Sequence, residues 1–205
     1  MKVPQSTLAR VGAISAFVLV AWLPTQAAGV SIGFEGFAPP GSSVNVPTAS
    51  PYMEAGFTLT PTNNLSAVFD STSPFTMSGN TTDWFGFNEL NMPSLTRTGG
   101  GTFDITSVLI GPSSAASSPP ISMTIEGFLS GGGSITSMFS GLNTATTANL
   151  NWTNLVSVKF TASDDSGLDD IVVTATAAIP EPSTIVLMGL GLVALGYAGR
   201  RKLVG

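Results

Sequence analysis

The sequence contains no cysteine and no histidine, and only 9% of its 205 residues are charged. Without histidine there is no imidazole general base, no Ser-His-Asp triad and no His-ligated metal site. Without cysteine there is no disulfide, no thiol nucleophile and no Cys/His zinc site. Catalysis would have to rest on carboxylates alone, as it does in glycoside hydrolases. We therefore expect a protein that is not an enzyme, and keep a carboxylate-dependent glycoside hydrolase as an alternative.

Positive charge is scarce in the middle of the chain. Only Arg97 and Lys159 are basic between residues 29 and 179, against eleven acidic residues, which gives a formal charge of −9. A phosphate backbone is bound through Lys and Arg side chains that displace its counterions, so this composition argues against nucleic acid as a partner. Cations, neutral glycans and basic surfaces are the compatible partners.

The N-terminal segment is typical of a secretory signal peptide. Two basic residues precede a mostly apolar, uncharged run from Val11 to Leu23, and the small residues Ala27 and Ala28 follow. A basic start, a short apolar run and small residues before the cleavage point are the features that signal peptidase recognises. We predict a signal peptide over residues 1–28, with a retained first transmembrane helix as the alternative.

The C-terminal segment, residues 179–205, has three parts in a fixed order. The tripeptide Pro180, Glu181 and Pro182 should be extended, because each proline keeps the residue before it out of the α region. Residues 183–198 carry no charge, which is typical of a single transmembrane helix. A basic cluster that would stop transfer then follows, formed by Arg200, Arg201 and Lys202.

This order of Pro-Glu-Pro, apolar helix and basic cluster resembles the PEP-CTERM sorting signal of Gram-negative bacteria, whose tails are recognised by the membrane enzyme exosortase. The resemblance covers residues 179–202. It implies signal peptidase and exosortase as partners, an inner-membrane intermediate, and a final place at the cell surface or outside the cell. An ordinary tail-anchoring helix is the alternative. The chain then divides into the signal peptide 1–28, an extracellular domain 29–178 and the sorting tail 179–205.

The sequence of the domain predicts strands separated by turns. Apolar and polar residues alternate in three runs, residues 121–126, 156–161 and 171–176, and such alternation is typical of half-buried antiparallel strands. Together with weaker runs between Gly- and Pro-rich turns, this pattern predicts an all-β, antiparallel β-sandwich that is jelly-roll-like. The weaker candidate strands are residues 31–37, 52–59, 67–69, 83–87, 94–98, 103–110 and 134–139.

Short stretches of the domain carry a second resemblance. Residues 32–35 (IGFE), 52–57 (YMEAGF), 99–104 (GGGTFD) and 168–173 (LDDIVV) resemble the small extracellular domains that often precede PEP-CTERM tails. Those domains are similar to the jelly rolls of carbohydrate-binding modules. The resemblance implies the same fold more than it implies a ligand, and an extracellular polysaccharide is the ligand class that fits it.

The same resemblance implies a metal. In carbohydrate-binding jelly rolls a structural Ca²⁺ often joins an acidic residue of the first strand to one of the last. Carried over to this chain, the ligands would be Glu35 with Asp169 or Asp170. The alternative is that the acidic residues between 164 and 170 form an exposed hairpin turn with solvated charges, since Asp is common in turns.

Aromatic residues are the candidates for contact with a sugar ring, because an aromatic face matches the apolar face of a pyranose. They can equally fill the core. Period 2 places Phe85 and Phe87 on one face of their strand and Trp84 on the other. Trp84 is therefore the predicted ligand-binding plate. For the whole domain, glycan binding and a purely structural role in a matrix or biofilm are both compatible with the sequence.

The mature protein is expected to lack the basic cluster in a host that contains exosortase. The sixteen residues 183–198 give a helix of about 24 Å, short of the ~30 Å hydrocarbon core, so the segment is a marginal permanent anchor. Intact-mass analysis of surface-extracted protein checks this, with protein from a strain lacking exosortase as the control. A mass that still includes Gly205 in the exosortase host would contradict it.

Overall fold

The structure, a computed structural model, describes residues 28–176 and 188–192. Residues 28–176 form twelve β-strands, and all their pairings are antiparallel. The strands are β1 (Val30–Ile32), β2 (Ser43–Asn45), β3 (Tyr52–Glu54), β4 (Phe57–Thr60), β5 (Ala67–Phe69), β6 (Trp84–Phe87), β7 (Ser94–Arg97), β8 (Phe103–Pro112), β9 (Ile121–Leu129), β10 (Ser134–Leu142), β11 (Thr146–Ala162) and β12 (Ser166–Ala175).

The strands belong to one continuous hydrogen-bonded sheet that curls over into two layers. The first layer has the order β2-β5-β6-β12-β8-β11, with β1 beside the far end of β12. The second has the order β3-β4-β7-β11-β9-β10. Strand β11 is in both layers, because residues 146–155 pair with β8 and residues 155–162 pair with β9. This arrangement confirms the predicted all-β, antiparallel, jelly-roll-like sandwich.

Strand β11 changes layer at two irregularities. Its register against β8 shifts on either side of Trp152, and Asn151 and Asn154 have φ angles of 52° and 61°. Asparagine adopts this left-handed conformation more readily than most residues, because its short side chain can hydrogen-bond locally. The backbone N–H of Asn154 donates to Oδ1 of Asp104 at 2.8 Å. Bulges of this kind bend a strand, and the bend lets β11 leave one layer and join the other.

The core lies between the layers and is built from the alternation seen in the sequence. Every second residue of β9 from Ile121 to Ile125 is at most 1% exposed, and the residues between them are partly exposed. Ile171 and Val173 of β12 are buried in the opposite layer. The rings of Phe57 and Phe103 meet edge to face across the two layers, with centroids 5.3 Å apart.

The strand predictions need correction in several places. The predicted strand over residues 52–59 is a hairpin of β3 and β4, whose turn residues Ala55 and Gly56 have φ angles of 50° and 83°. A two-residue turn with positive φ at both positions matches the twist of its flanking strands. Strand β2 is not predicted at all, because three residues with one apolar side chain show no alternation.

Strand β11 is longer than predicted. Alternation predicts a strand only over residues 156–161, whereas the strand covers Thr146–Ala162. Bulges interrupt the alternation of its first half, so the period-2 pattern is lost there. Val156, expected in the core, is 41% exposed because the register against β9 shifts between Leu155 and Ser157.

The two predicted targeting segments lie largely outside the described residues. This applies to the signal peptide up to residue 27, to the Pro180-Glu181-Pro182 motif and to the basic cluster. Of the predicted transmembrane helix, residues 188–192 are described, and they are helical with exposed side chains. Within the described ranges, no helix is both long and apolar enough to span a membrane.

Candidate functional site

An open groove lies on the outer face of the first layer, on the side away from the core. Its cavity measures about 390 Å³ and is lined by strands β2, β5 and β6, together with the loops next to β5 and those after β8 and β11. The apolar residues of the lining include the aromatic side chains of Phe69, Phe75, Trp84 and Phe87, together with Leu65, Ala67 and Ala115. We call this cavity the aromatic groove.

Trp84 is the base of the groove and not an exposed plate. It is 2% exposed, and its ring stacks on Phe69 with centroids 4.6 Å apart and an angle of 17° between the rings. Side chains at Gly86 and Gly167 would prevent this, since a Cβ there would lie 2.6 Å from the Phe69 ring and 2.6 Å from the Trp84 ring respectively. The predicted face of Trp84 is right, because it stands outside the core that buries Phe85. Its predicted exposure is wrong, because Phe69 covers it.

Phe75 is the exposed aromatic ring of the groove. It is 49% exposed, and its centroid lies 5.7 Å from that of Phe69 at an angle of 59°. Strand alternation cannot indicate this residue, because Phe75 lies in the loop between β5 and β6. The available signal was an isolated aromatic in a polar Ser/Thr/Pro segment, residues 71–76, where no strand alternation requires a large apolar side chain.

Two carboxylates hold the loop that carries Phe75. Oδ1 of Asp70 accepts from the N–H of Gly41 at 2.7 Å, from the N–H of Thr72 at 2.9 Å and from the Thr72 hydroxyl. The Thr72 hydroxyl, followed by the backbone donors, lowers the pKa of Asp70. Oδ1 of Asp83 accepts from the N–H of Ser71 at 2.9 Å. The loop is therefore fixed by buried and surface hydrogen bonds, and the position of Phe75 is set in advance.

Polar groups surround the aromatic surface. Asn45 and Asn64 line one side, and Asp165 lines another. Oδ1 of Asn64 already accepts from the N–H and hydroxyl of Thr48, at 3.0 Å and 3.1 Å, which leaves its amide N–H groups as donors. Burial raises the pKa of Asp165, and the charges of two neighbouring carboxylates raise it further. The groove thus offers amide donors and one carboxylate acceptor beside apolar rings.

None of the described residues that line the groove is basic. The two basic residues of the domain are engaged elsewhere. Lys159 forms an ion pair with Glu126 at 3.2 Å, and Arg97 donates to the carbonyl of Thr176 at 2.9 Å. An anionic ligand would find no counter-charge in the groove, whereas a neutral ligand with hydroxyl groups would find partners for them.

The predicted calcium ligands come from strands that do lie together. Strand β1 pairs with β12, with Ile32 opposite Ile171, so Glu35 and Asp170 approach each other. A Cβ at Gly33 would lie 3.7 Å from Cγ of Glu35 and 3.9 Å from Oδ1 of Asp170. Desolvation raises the pKa of Glu35, and repulsion from nearby carboxylates, including that of Asp170, raises it further. Both side chains are exposed.

Asp169 is held apart from that pair. Its side chain is fully buried, and Oδ2 accepts from Nδ2 of Asn80 at 2.8 Å and from Oγ1 of Thr82 at 2.6 Å. Oδ1 accepts from the N–H of Asp170 at 2.7 Å. Burial raises the pKa of Asp169 to about 6, although these hydrogen bonds oppose the shift. Each oxygen of Asp169 thus accepts at least one hydrogen bond from the protein, and its role as a calcium ligand stays a prediction.

The acidic residues between 164 and 170 do not share one environment. Asp164 and Asp165 lie in the turn between β11 and β12, whereas Asp169 and Asp170 belong to β12. In the described part of the chain, no group of three or more acidic side chains is arranged to hold a metal ion. Calcium binding by Glu35 with Asp169 or Asp170 stays a prediction.

Comparison with known families identifies the tail. Residues 178–202 match the PEP-CTERM protein-sorting motif, which confirms the resemblance found in the sequence. The chain therefore carries a sorting signal, and it is an exported protein that is processed at the membrane. No curated protein is a match for the chain.

Two solved structures show distant similarity to the domain. One is TmCBM61 in complex with β-1,4-galactotriose, which is 9% identical over 59% of this chain and 89% of that one, with a TM-score of 0.32. The other is the C-terminal family 22 carbohydrate-binding module of Clostridium thermocellum Xyn10B, which is 10% identical over 69% of this chain and 99% of that one, with a TM-score of 0.35. No conclusion about the ligand of this chain follows from either.

Burial of Asp169 predicts a pH-dependent stability. Its pKa is about 6 in the folded protein against about 3.9 in an unfolded chain, so the folded state binds the proton more tightly. The free energy of unfolding should therefore fall as pH rises from about 4 to 6, by roughly 1–2 kcal/mol after allowance for solvent screening. Urea unfolding between pH 4 and pH 7 measures this.

The Asp169→Asn variant isolates the effect. It should remove the part of the decline that Asp169 causes, while Glu35 and Asp165, whose pKa values are also raised, keep contributing in the same direction. Asp170→Asn is the matched control, because asparagine tolerates the φ angle of 44° found there and the charge of Asp170 is a minor cause of the raised pKa of Asp169, so most of the decline should remain. If Asp169→Asn shows the same pH profile as the wild type, the buried carboxylate is not the cause.

Calcium binding has its own test. If Glu35 and Asp170 share the ion, Ca²⁺ at a hundred times its Kd should raise the free energy of unfolding by about 2.7 kcal/mol, because the unfolded chain lacks the site. Melting curves with Ca²⁺ and with chelator measure the shift. Glu35→Gln should abolish it and Glu89→Gln should not. An unchanged melting temperature would contradict calcium binding and favour the alternative, in which these acidic side chains are solvated.

Proposed function

We propose that this chain is an exported, non-catalytic surface protein whose domain binds a neutral glycan in the aromatic groove. The observation that carries the proposal is the exposed ring of Phe75 beside a cavity of about 390 Å³ with a polar rim. That volume is within the range of small-ligand sites. After export, exosortase would process the tail, and the domain would act at the cell surface or in the extracellular matrix.

The chemistry of the groove favours a neutral sugar over other ligands. The face of Phe75 matches the apolar face of a pyranose, and the partly exposed ring of Phe69 beside it supplies further apolar contact. The amide groups of Asn45 and Asn64 and the carboxylate of Asp165 can bind the hydroxyl groups at the ring edge. The formal charge of −9 on residues 29–179 disfavours acidic polysaccharides.

The acidic residues of the groove do not favour hydrolysis. Glycoside hydrolases use two carboxylates that face each other across the scissile bond, about 5 to 9.5 Å apart. Asp165 is the single carboxylate among the described lining residues. Its neighbour Asp164 is engaged, since Oδ2 accepts from the N–H groups of Ser117 and Ser118 at 2.9 Å each. Binding without cleavage is the better match.

Removal of the Phe75 ring should weaken glycan binding. The full-length protein, purified in detergent, is first applied to an array of neutral polysaccharides, and the best ligand is then titrated calorimetrically. Phe75→Ala should reduce the affinity about 5- to 10-fold, since an aromatic contact contributes roughly 1 kcal/mol beyond its buried area.

Phe37→Ala is the matched control. Phe37 is 44% exposed but packs against Tyr52, outside the groove. Its removal should leave glycan affinity unchanged. If both variants lose affinity equally, the groove is not the binding site. If no neutral glycan binds, the purely structural role in a matrix is favoured.

A further inference from the structure

Strand β10 is a long edge of the second layer. Residues Ser134 to Phe139 pair in unbroken register with Phe128 to Met123 of β9, until the register shifts before Leu142. In the described part of the chain, β9 is the only strand that pairs with β10. Such an edge presents unpaired N–H and C=O groups that can pair with another strand.

The other edges of the sheet are protected, and β10 is not. Strands β1, β2 and β3 have three residues each, too few to template a stable pairing. The first half of β11 is interrupted by the bulges around Trp152. Strand β10 has nine residues, SITSMFSGL, with no charge and no proline. Charged residues and prolines are the usual means of preventing edge-to-edge contact.

The surface around β10 is neutral in an otherwise acidic domain. Residues 127–158 contain no charged side chain. The nearest acid on β9 is Glu126, opposite Thr136, and its charge is compensated by Lys159 at 3.2 Å. Two copies of a domain with a formal charge of −9 repel each other at most points of contact. At the β10 edge this charge repulsion is absent.

The side chains of β10 are self-complementary. Ile135 and Met138 are 39% and 70% exposed, and Phe139 is partly buried against the core. In an antiparallel pair related by a two-fold axis through Ser137, Ile135 of one copy would face Phe139 of the other. Thr136 would face Met138 in the same way. Apolar pairs of a β-branched and an aromatic residue are among the stabilising cross-strand contacts.

We propose that β10 is a self-association edge, which pairs antiparallel with β10 of a second copy of this chain and has its two-fold axis at Ser137. The two sandwiches then share one continuous second layer. A contact of this kind is isologous and closes after two copies. It leaves the aromatic groove free, because the groove lies on the first layer.

A single introduced cysteine tests both the contact and its register. The chain contains no cysteine, so Ser137→Cys can form a disulfide only between molecules. Directly opposite residues in an antiparallel pair have Cα atoms about 4.5 to 5.5 Å apart, within the range that a disulfide spans. Mild oxidation of the full-length protein in detergent should give a covalent dimer on non-reducing electrophoresis.

Val156→Cys is the matched control. Val156 is also exposed, but it lies on β11, two strands from the edge. In the proposed dimer the two copies of this position would be about 24 Å apart, at roughly 4.8 Å per strand, and could not form a disulfide. If Ser137→Cys stays monomeric, or if Val156→Cys cross-links equally fast, the proposal is wrong. Equal cross-linking would indicate association through another part of the chain.

A second variant checks the contact without cysteine. Met138→Lys places a charge on the edge at the most exposed side chain of β10, where the folded monomer should tolerate it. Dimerisation measured by analytical ultracentrifugation should weaken about tenfold or more, because lysine on an edge strand opposes edge-to-edge pairing. Val156→Lys should leave it unchanged. A wild-type protein that is monomeric at all concentrations would overturn the proposal, because β10 would then remain free or bind a different partner.

Discussion

Strand β11 hydrogen-bonds to β8 through its first half and to β7 and β9 through its second, so both layers of the core are joined through one chain segment. The bend between the halves depends on left-handed backbone at Asn151 and Asn154. With no disulfide available, closure of the sandwich rests on this strand and on the apolar side chains that it brings between the layers. Trp152 and Leu155, on either side of Asn154, are both buried there.

The outer face of the first layer depends on a different constraint: aromatic rings must approach the strand backbone closely. Gly86 of β6 and Gly167 of β12 lie side by side, paired in register, and their missing side chains make room for the ring of Trp84. That ring in turn supports Phe69, and Phe69 contacts Phe75. The groove is therefore an extension of the sheet surface, with its exposed ring supported from below and its loop fixed by Asp70 and Asp83.

The sequence predicts the parts of this structure that have a simple period. Strand β9 alternates from Ile121 to Glu126, and its start and its buried face follow from that, but the strand continues beyond the predicted end to Leu129. The prediction that Val156 is buried is wrong, because the register shift between Leu155 and Ser157 changes the phase of the alternation. The tail is predicted well, because its three parts are contiguous in the chain.

Site residues are harder to predict, because they depend on what folds over them. Alternation correctly places Trp84 opposite the core, but cannot show that Phe69, fifteen positions earlier, covers it. The pairing of β1 with β12 brings Glu35 to Asp170 as expected, yet neighbouring Asp169 turns to Asn80 and Thr82. Which of two adjacent acids is solvated is decided by long-range contacts, and these have no local signature.

The position of β12 also has a mechanical consequence. The strand lies inside the first layer, between β8 on one side and β6 and β1 on the other, and the tail follows from its end. A pull on the tail would load the whole β12–β8 ladder, from Ser166 to Ala175, in shear. Its hydrogen bonds would then resist together, whereas a terminal strand at a sheet edge could peel away one bond at a time. A tether attached here therefore pulls on an interior strand that is paired on both sides.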